Sequence, residues 1–116
     1  MRIGATQLVF ADKPVAESLA YAQTTGYESL ELCVRETGEL RPDTPDDAVR
    51  AMRKEADRLG MAIPSLVPAG CQGFASPDPA ARAEALEVLC RSLHLAALLG
   101  ADMILVHPGQ LTPQVR

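Results

Sequence analysis

The chain has 116 residues, enough for one ordinary domain with a buried core. Apolar residues make up 47%, aromatics 3% and tryptophan none, which argues against disorder; the core must be built from Leu, Val, Ile and Ala, which suits layered α/β packing better than a β-sandwich or an aromatic-rich binding module. The net charge is −4 with no run of Lys or Arg, which leaves no concentrated positive surface for nucleic acid or a membrane.

Met1-Arg2-Ile3-Gly4-Ala5 opens directly into a strand-like run, expected as β1 over residues 2–9. No long apolar segment follows, so neither a signal peptide nor a membrane span is expected. Asp12 precedes Pro14 and then Val15-Ala16-Glu17-Ser18-Leu19, a helix start that places α1 over 14–25. Thr25-Gly26-Tyr27 ends it and leads into Ser29-Leu30-Glu31-Leu32-Cys33-Val34, so β2 is expected over 28–34. Thr44 precedes Pro45, and Asp46 and Asp47 sit at the positive end of the helix dipole; α2 should run over 45–59. The basic residues between Arg50 and Arg58 interleave with Glu55 and Asp57 at helical spacing, which describes a solvated helix face.

Leu59-Gly60-Met61 repeats the same joint and opens β3 over 62–67. Pro64 removes a ladder donor there, so β3 either starts after it or carries a bulge. Ser76 before Pro77 opens α3 over 78–99, whose Leu86, Leu89, Leu93 and Ala96 form an apolar stripe, widened by Ala85, Val88 and Leu95, that is expected to face the core. Leu99-Gly100-Ala101 makes the third glycine joint, and β4 follows over 102–107. His107-Pro108-Gly109 stands where that strand breaks into a loop.

Strands and helices alternate, which predicts a parallel sheet with right-handed crossovers. The joints before the strands are tight, whereas the loops after β2 (35–43) and β3 (68–75) are long. Long loops at the carboxyl ends of parallel strands are the arrangement of an α/β enzyme. Cys33, Cys71 and Cys90 are odd in number and form no C-x-x-C pair, which predicts reduced thiols and a cytoplasmic setting.

The chain resembles the amino-terminal half of the xylose-isomerase-like (β/α)8 barrel superfamily. The carriers are Arg2-Ile3-Gly4, Gly26-Tyr27-Glu28-Ser29-Leu30-Glu31-Leu32, Ala56-Asp57-Arg58-Leu59-Gly60-Met61, and Ala97-Leu98-Leu99-Gly100-Ala101-Asp102 leading to Val106-His107-Pro108-Gly109. The resemblance implies a partial TIM barrel over residues 1–116, with the order β1-α1-β2-α2-β3-α3-β4, because a full barrel runs to about 250 residues. It also implies a sugar or sugar-phosphate isomerase or epimerase. Such an enzyme transfers a proton next to a carbonyl with help from a divalent metal (Mn, Mg, Co or Zn). A keto-polyol dehydratase of the same superfamily is the alternative, and a non-catalytic half-barrel that must pair to fold is another. The carboxylates that move the substrate proton lie largely on later strands in this superfamily, so the catalytic pair has no counterpart here. An endonuclease-type reading is disfavoured: β3 ends Leu66-Val67-Pro68, without the histidine that branch places there.

Three residues are candidate substrate contacts. His107 ends β4 at the rim, where a ring nitrogen can bind a sugar oxygen; the resemblance adds metal ligation. Glu31 faces opposite to Leu30 and Leu32, into the barrel, where a carboxylate must be paired, solvated or coordinating; an ion pair with Arg2 or a neighbouring strand is the bland alternative. Gln7, near the end of β1, is a candidate polar pocket wall or simply a loop-facing glutamine. Cys33 shares the Glu31 face and reads as a small buried hydrophobe. His94 on α3 lies outside the barrel and reads as structural. The glycine-rich 69–74 loop matches no phosphate-binding pattern and reads as a flexible rim loop. The partners expected are a sugar or polyol, and either a second copy of the chain or a missing carboxyl-terminal half that covers the open edges of β1 and β4.

Overall fold

The computed structural model describes residues 1–10 and 12–110. Four parallel strands form one sheet in the order β1-β2-β3-β4, with three helices in the crossovers. The strands are β1 (Gly4–Thr6), β2 (Ser29–Val34), β3 (Ser65–Pro68) and β4 (Met103–Ile104); the helices are α1 (Val15–Thr24), α2 (Asp46–Leu59) and α3 (Pro79–Leu99). This is the alternating β/α order expected, and it is half the strand count of a (β/α)8 barrel.

Strand alternation divides the sheet into two faces. Leu30, Leu32 and Val34 of β2 and Leu66 of β3 are fully buried against Val15, Leu19 and Ala22 of α1, Val49 and Ala56 of α2, and Leu95 and Leu99 of α3. Each such leucine contributes about 1.5–3 kcal/mol through burial. The other face carries Thr6, Glu31, Ser65 and Met103 in one register row, and then Cys33 beside Val67.

The glycine joints behave as expected. Gly60 and Gly100 cap α2 and α3 in the left-handed conformation at φ 68° and 70°. The helix starts differ from the expectation. Asp12 and Thr44 do not cap: Pro14 and Pro45 occupy the cap positions of α1 and α2 without a side-chain bond. The free Val15 N–H instead donates to Glu39 Oε2 at 2.6 Å, reached from the loop after β2. Thr44 Oγ1 stitches that loop, accepting from Arg41 N at 2.7 Å and donating to Glu39 O at 3.0 Å. At α3 the cap is Asp78, which accepts from Ala80 N ahead of Pro79, while Ser76 Oγ accepts from Asp78 N.

Two strands are shorter than expected. β1 stops at Thr6, and residues 7–10 turn into one 3-10 turn. β4 pairs only at Met103 and Ile104, with Leu105 N donating once more to Leu66 O at 2.9 Å. The next ladder donor would be residue 68 of β3, and Pro68 has no N–H to give. Pro64 precedes β3, as one of the two alternatives held, and its carbonyl accepts from Asp102 and Met103.

The apolar stripe of α3 is buried only along part of its expected width: Ala85, Leu95 and Ala96 face the core, and its Leu86–Leu93 edge does not. The buried face is Ala85, Ser92, Leu95, Ala96 and Leu99, whereas Leu86 and Leu93 remain 54% and 53% exposed. At 100° per residue these two leucines lie on the flank opposite Arg91 and His94, which reach α2 through Asp46. The sequence pattern therefore counted as core two residues that stay exposed.

Candidate active site

The carboxyl ends of the strands and the loops that follow them build a rim. Its deepest polar element is Gln7, which is 6% exposed. Cys33 N–H lies two residues beyond the last β1–β2 pair, where β1 has already turned away. Gln7 Oε1 takes the place of the missing strand carbonyl and accepts that N–H at 2.9 Å. Gln7 does line a cavity, but its carbonyl oxygen is committed to the backbone.

Glu31 is half-buried on the barrel face, as alternation predicts. Its carboxylate accepts from Ser65 Oγ of β3 at 2.7 Å. A neighbouring strand therefore holds it, through a hydroxyl rather than through Arg2. Cys33 follows on the same face and is buried. Burial pushes its thiol up, against the opposing pull of the Arg35 guanidinium, so the sulfur stays neutral and behaves as a small apolar group.

Arg35, two residues further along the same face, is the residue that sequence reading passed over. It borders two cavities at once. The first, of about 310 Å³, is lined by Gln7, Lys13, Cys33, Arg35 and Glu39 among others. The second, of about 210 Å³, is lined by Leu8, Cys33, Arg35, Val67, Gln72 and His107 among others. Arg35 Nη1 also donates to Asp12 Oδ1 at 2.9 Å, tying the loop after β1 to β2. The signal was present in the sequence: positions 31, 33 and 35 alternate onto one face.

His107 is exposed and reaches the smaller cavity. The backbone behind it is fixed. Ala75 N donates to Pro108 O at 2.8 Å, which ties the loop after β4 to the loop after β3. Gly109 makes this approach possible: at φ 111°, a Cβ there would stand 2.2 Å from Gln72 O. The 69–74 loop is thus held to the His107 loop, rather than hanging free as its glycines suggested. Cys33 and Arg35 border both cavities, Gln7 the first and His107 the second, whereas Glu31 borders neither.

His94 lies on the outer layer, where its Nε2 meets Asp46 Oδ2 at 2.9 Å, in keeping with a structural role. Cys33, Cys71 and Cys90 are all free thiols. No described helix is long and apolar enough to cross a membrane.

For the divalent metal implied by the resemblance, this chain offers His107 alone, since the superfamily holds its metal mainly with residues of later strands. Among the described residues no group of three or more His, Cys, Asp or Glu side chains is placed to hold a metal ion.

Known proteins share this fold. The chain is 37% identical over 76 residues to the xylose isomerase of Thermus thermophilus, a stretch covering 60% of this chain and 20% of that enzyme. Its fold superposes on D-psicose 3-epimerase crystallised in the presence of D-fructose, with a TM-score of 0.72 and 17% identity, covering 90% of this chain and 36% of that one. It superposes likewise on the D-allulose 3-epimerase of Methylomonas sp. in complex with D-allulose, with a TM-score of 0.74 and 19% identity, over 99% and 42% of the two chains. A 3-keto-D-glucoside 4-epimerase from E. coli gives a TM-score of 0.72 at 16% identity, over 91% and 37%. The chain thus spans less than half the length of each of these relatives. The xylose isomerase-like TIM barrel profile matches residues 19–116, which include β2, β3, β4 and the rim histidine, and the chain belongs to that family.

Proposed function

We propose that this chain supplies the substrate-binding half of a sugar or sugar-phosphate isomerase or epimerase mouth. The observation that carries the reading is the placement of Arg35 and His107 on one cavity at the carboxyl ends of parallel strands. His107 offers a ring nitrogen to a sugar hydroxyl or carbonyl oxygen, and Arg35 offers a guanidinium to a second oxygen. Glu31, held by Ser65, stands two residues before Cys33 on the same strand face and would accept from a hydroxyl that reached it. Gln7 shapes the wall by holding β2 in place. Family membership and the fold shared with sugar epimerases support the reading.

The family reaction moves a proton next to a carbonyl, which needs a positioned base and stabilisation of the enediolate. The described residues of this chain bind and orient; the proton-moving carboxylates would come from the later strands. The test is calorimetric titration of the chain with D-fructose and with a ketohexose phosphate. His107→Ala and Arg35→Gln should each weaken binding by about three- to tenfold, the worth of one hydrogen bond. Equal affinity for the chain and both variants would sink the proposal.

A further inference from the structure

The loop after β2 is tied down from several sides. Arg35 N donates to Leu40 O at 2.9 Å, which closes residues 35–40 into a turn, and the Leu40 side chain is buried. Thr44, also buried, holds Arg41 N and Glu39 O. Arg91 reaches the same loop from α3: its Nε donates to Pro42 O at 2.6 Å, and its Nη2 donates to Thr44 O and Asp46 Oδ1, each at 3.3 Å.

The loop fixed in this way delivers Glu39 to the rim. Glu39 is exposed and lines the cavity of about 310 Å³, between residues 12–14 after β1 and Arg35 on β2's barrel face. Its Oε2 is held by the Val15 N–H at 2.6 Å. A carboxylate has about four acceptor positions, and this bond uses one of them. Glu39 therefore keeps most of its hydrogen-bonding capacity while its carboxylate is already ordered, so less rotamer freedom is lost when a ligand binds. The charges on the lining balance. Asp12 and Glu39 stand against Lys13 and Arg35, with Arg35 paired to Asp12 and Lys13 to Glu17. Such a lining suits an uncharged polyhydroxy group and has no surplus of positive charge for a phosphate.

We propose that Glu39 is a further substrate contact, which accepts from hydroxyls of a sugar held at Arg35 and selects an uncharged sugar end over a phosphorylated one. Arg35 borders both this cavity and the one that His107 reaches, so a ligand on its guanidinium has Glu39 to one side and His107 to the other. Arg91, which does not line the cavity, is the positioning residue behind Glu39. The inference rests on the sugar-binding mouth proposed above.

Calorimetric titration with D-fructose and with fructose 6-phosphate tests it, alongside hydrogen exchange at the Val15 amide. Glu39→Gln keeps a carbonyl oxygen for the Val15 N–H and removes the charge. Val15 should stay protected, D-fructose affinity should fall about three- to tenfold, and fructose 6-phosphate affinity should fall less or rise. Arg91→Gln leaves every lining residue in place: Val15 should exchange faster and D-fructose affinity should fall by at least about threefold. Unchanged D-fructose affinity in Glu39→Gln overturns the proposal. So does an equal loss for both sugars, which marks a purely structural glutamate, or a loosened Val15 in Arg91→Gln with D-fructose binding intact. If His107→Ala weakens binding and Glu39→Gln does not, this inference alone fails; a parent chain that binds neither sugar removes the mouth and this contact together.

Discussion

Replacing Gln7 with Met tests how the rim is built. Met keeps the length of the side chain and removes the acceptor, so Cys33 N–H is left without its 2.9 Å partner in a site where Gln7 is 6% exposed. An unsatisfied buried donor costs about 1–3 kcal/mol, with little change in packing volume. Gln7→Ala adds the loss of buried methylene surface, at about 0.8 kcal/mol per group. For a domain of this size each kcal/mol lowers Tm by about 4–8 °C. Gln7→Met should therefore melt about 4–24 °C below the parent, with Gln7→Ala lower still, and the Cys33 amide should lose hydrogen-exchange protection in both. Thermal denaturation followed by circular dichroism reads the first, and exchange monitored by NMR reads the second. A Gln7→Met protein that melts with the parent and keeps Cys33 protected would refute the substitution of a side-chain carbonyl for a strand carbonyl. Gln7 would then be free to serve as a ligand contact.

Other outcomes follow from the same contacts. Gly109→Ala must fit a Cβ 2.2 Å from Gln72 O at φ 111°; it should cost at least about 2 kcal/mol in urea denaturation and disturb the Ala75 amide. Ser65→Ala removes the hydroxyl that donates to Glu31 and should lower stability by about 1.5–3 kcal/mol, while Ser65→Thr retains most of it. The hydrogen bond from His94 holds the Asp46 carboxyl below its ordinary range, so its contribution is complete above the unfolded value of 3.8 and is lost as pH falls through the depressed folded value. Asp46→Asn should thus destabilise the chain at neutral pH and flatten the acid limb of its stability profile, as measured by urea midpoints between pH 2 and 7.

The repeating grammar of the chain was legible because it rests on local chemistry. Glycine after a helix and an apolar run after glycine place Gly60 and Gly100 at real left-handed caps. Alternation put Glu31 and Cys33 on the barrel face, and the same alternation, carried two residues further, reaches Arg35. The helix caps were misread because proline displaced them: Asp12 and Thr44 are polar residues before a proline, but the chain uses Glu39 and a threonine stitch instead. Long-range choices of this kind leave no local mark. The α3 stripe failed for another reason. Leu86 and Leu93 have the right spacing for a buried face, yet the described residues place no element over that flank. Periodicity reports which residues prefer burial, and only tertiary structure shows what buries them. The short β4 was foreshadowed by Pro68, whose effect falls on the neighbouring strand rather than its own.

The most direct test of the proposed site is the map of backbone amide shifts in ¹H–¹⁵N spectra as D-fructose is titrated into the chain. Saturable shifts at Cys33, Arg35, Gln72 and His107, with the joints at Gly26, Gly60 and Gly100 unmoved, are the predicted result. Shifts centred on those amino-end joints, or none at up to about 100 mM sugar with the fold intact, would contradict a sugar site at the carboxyl ends of the strands.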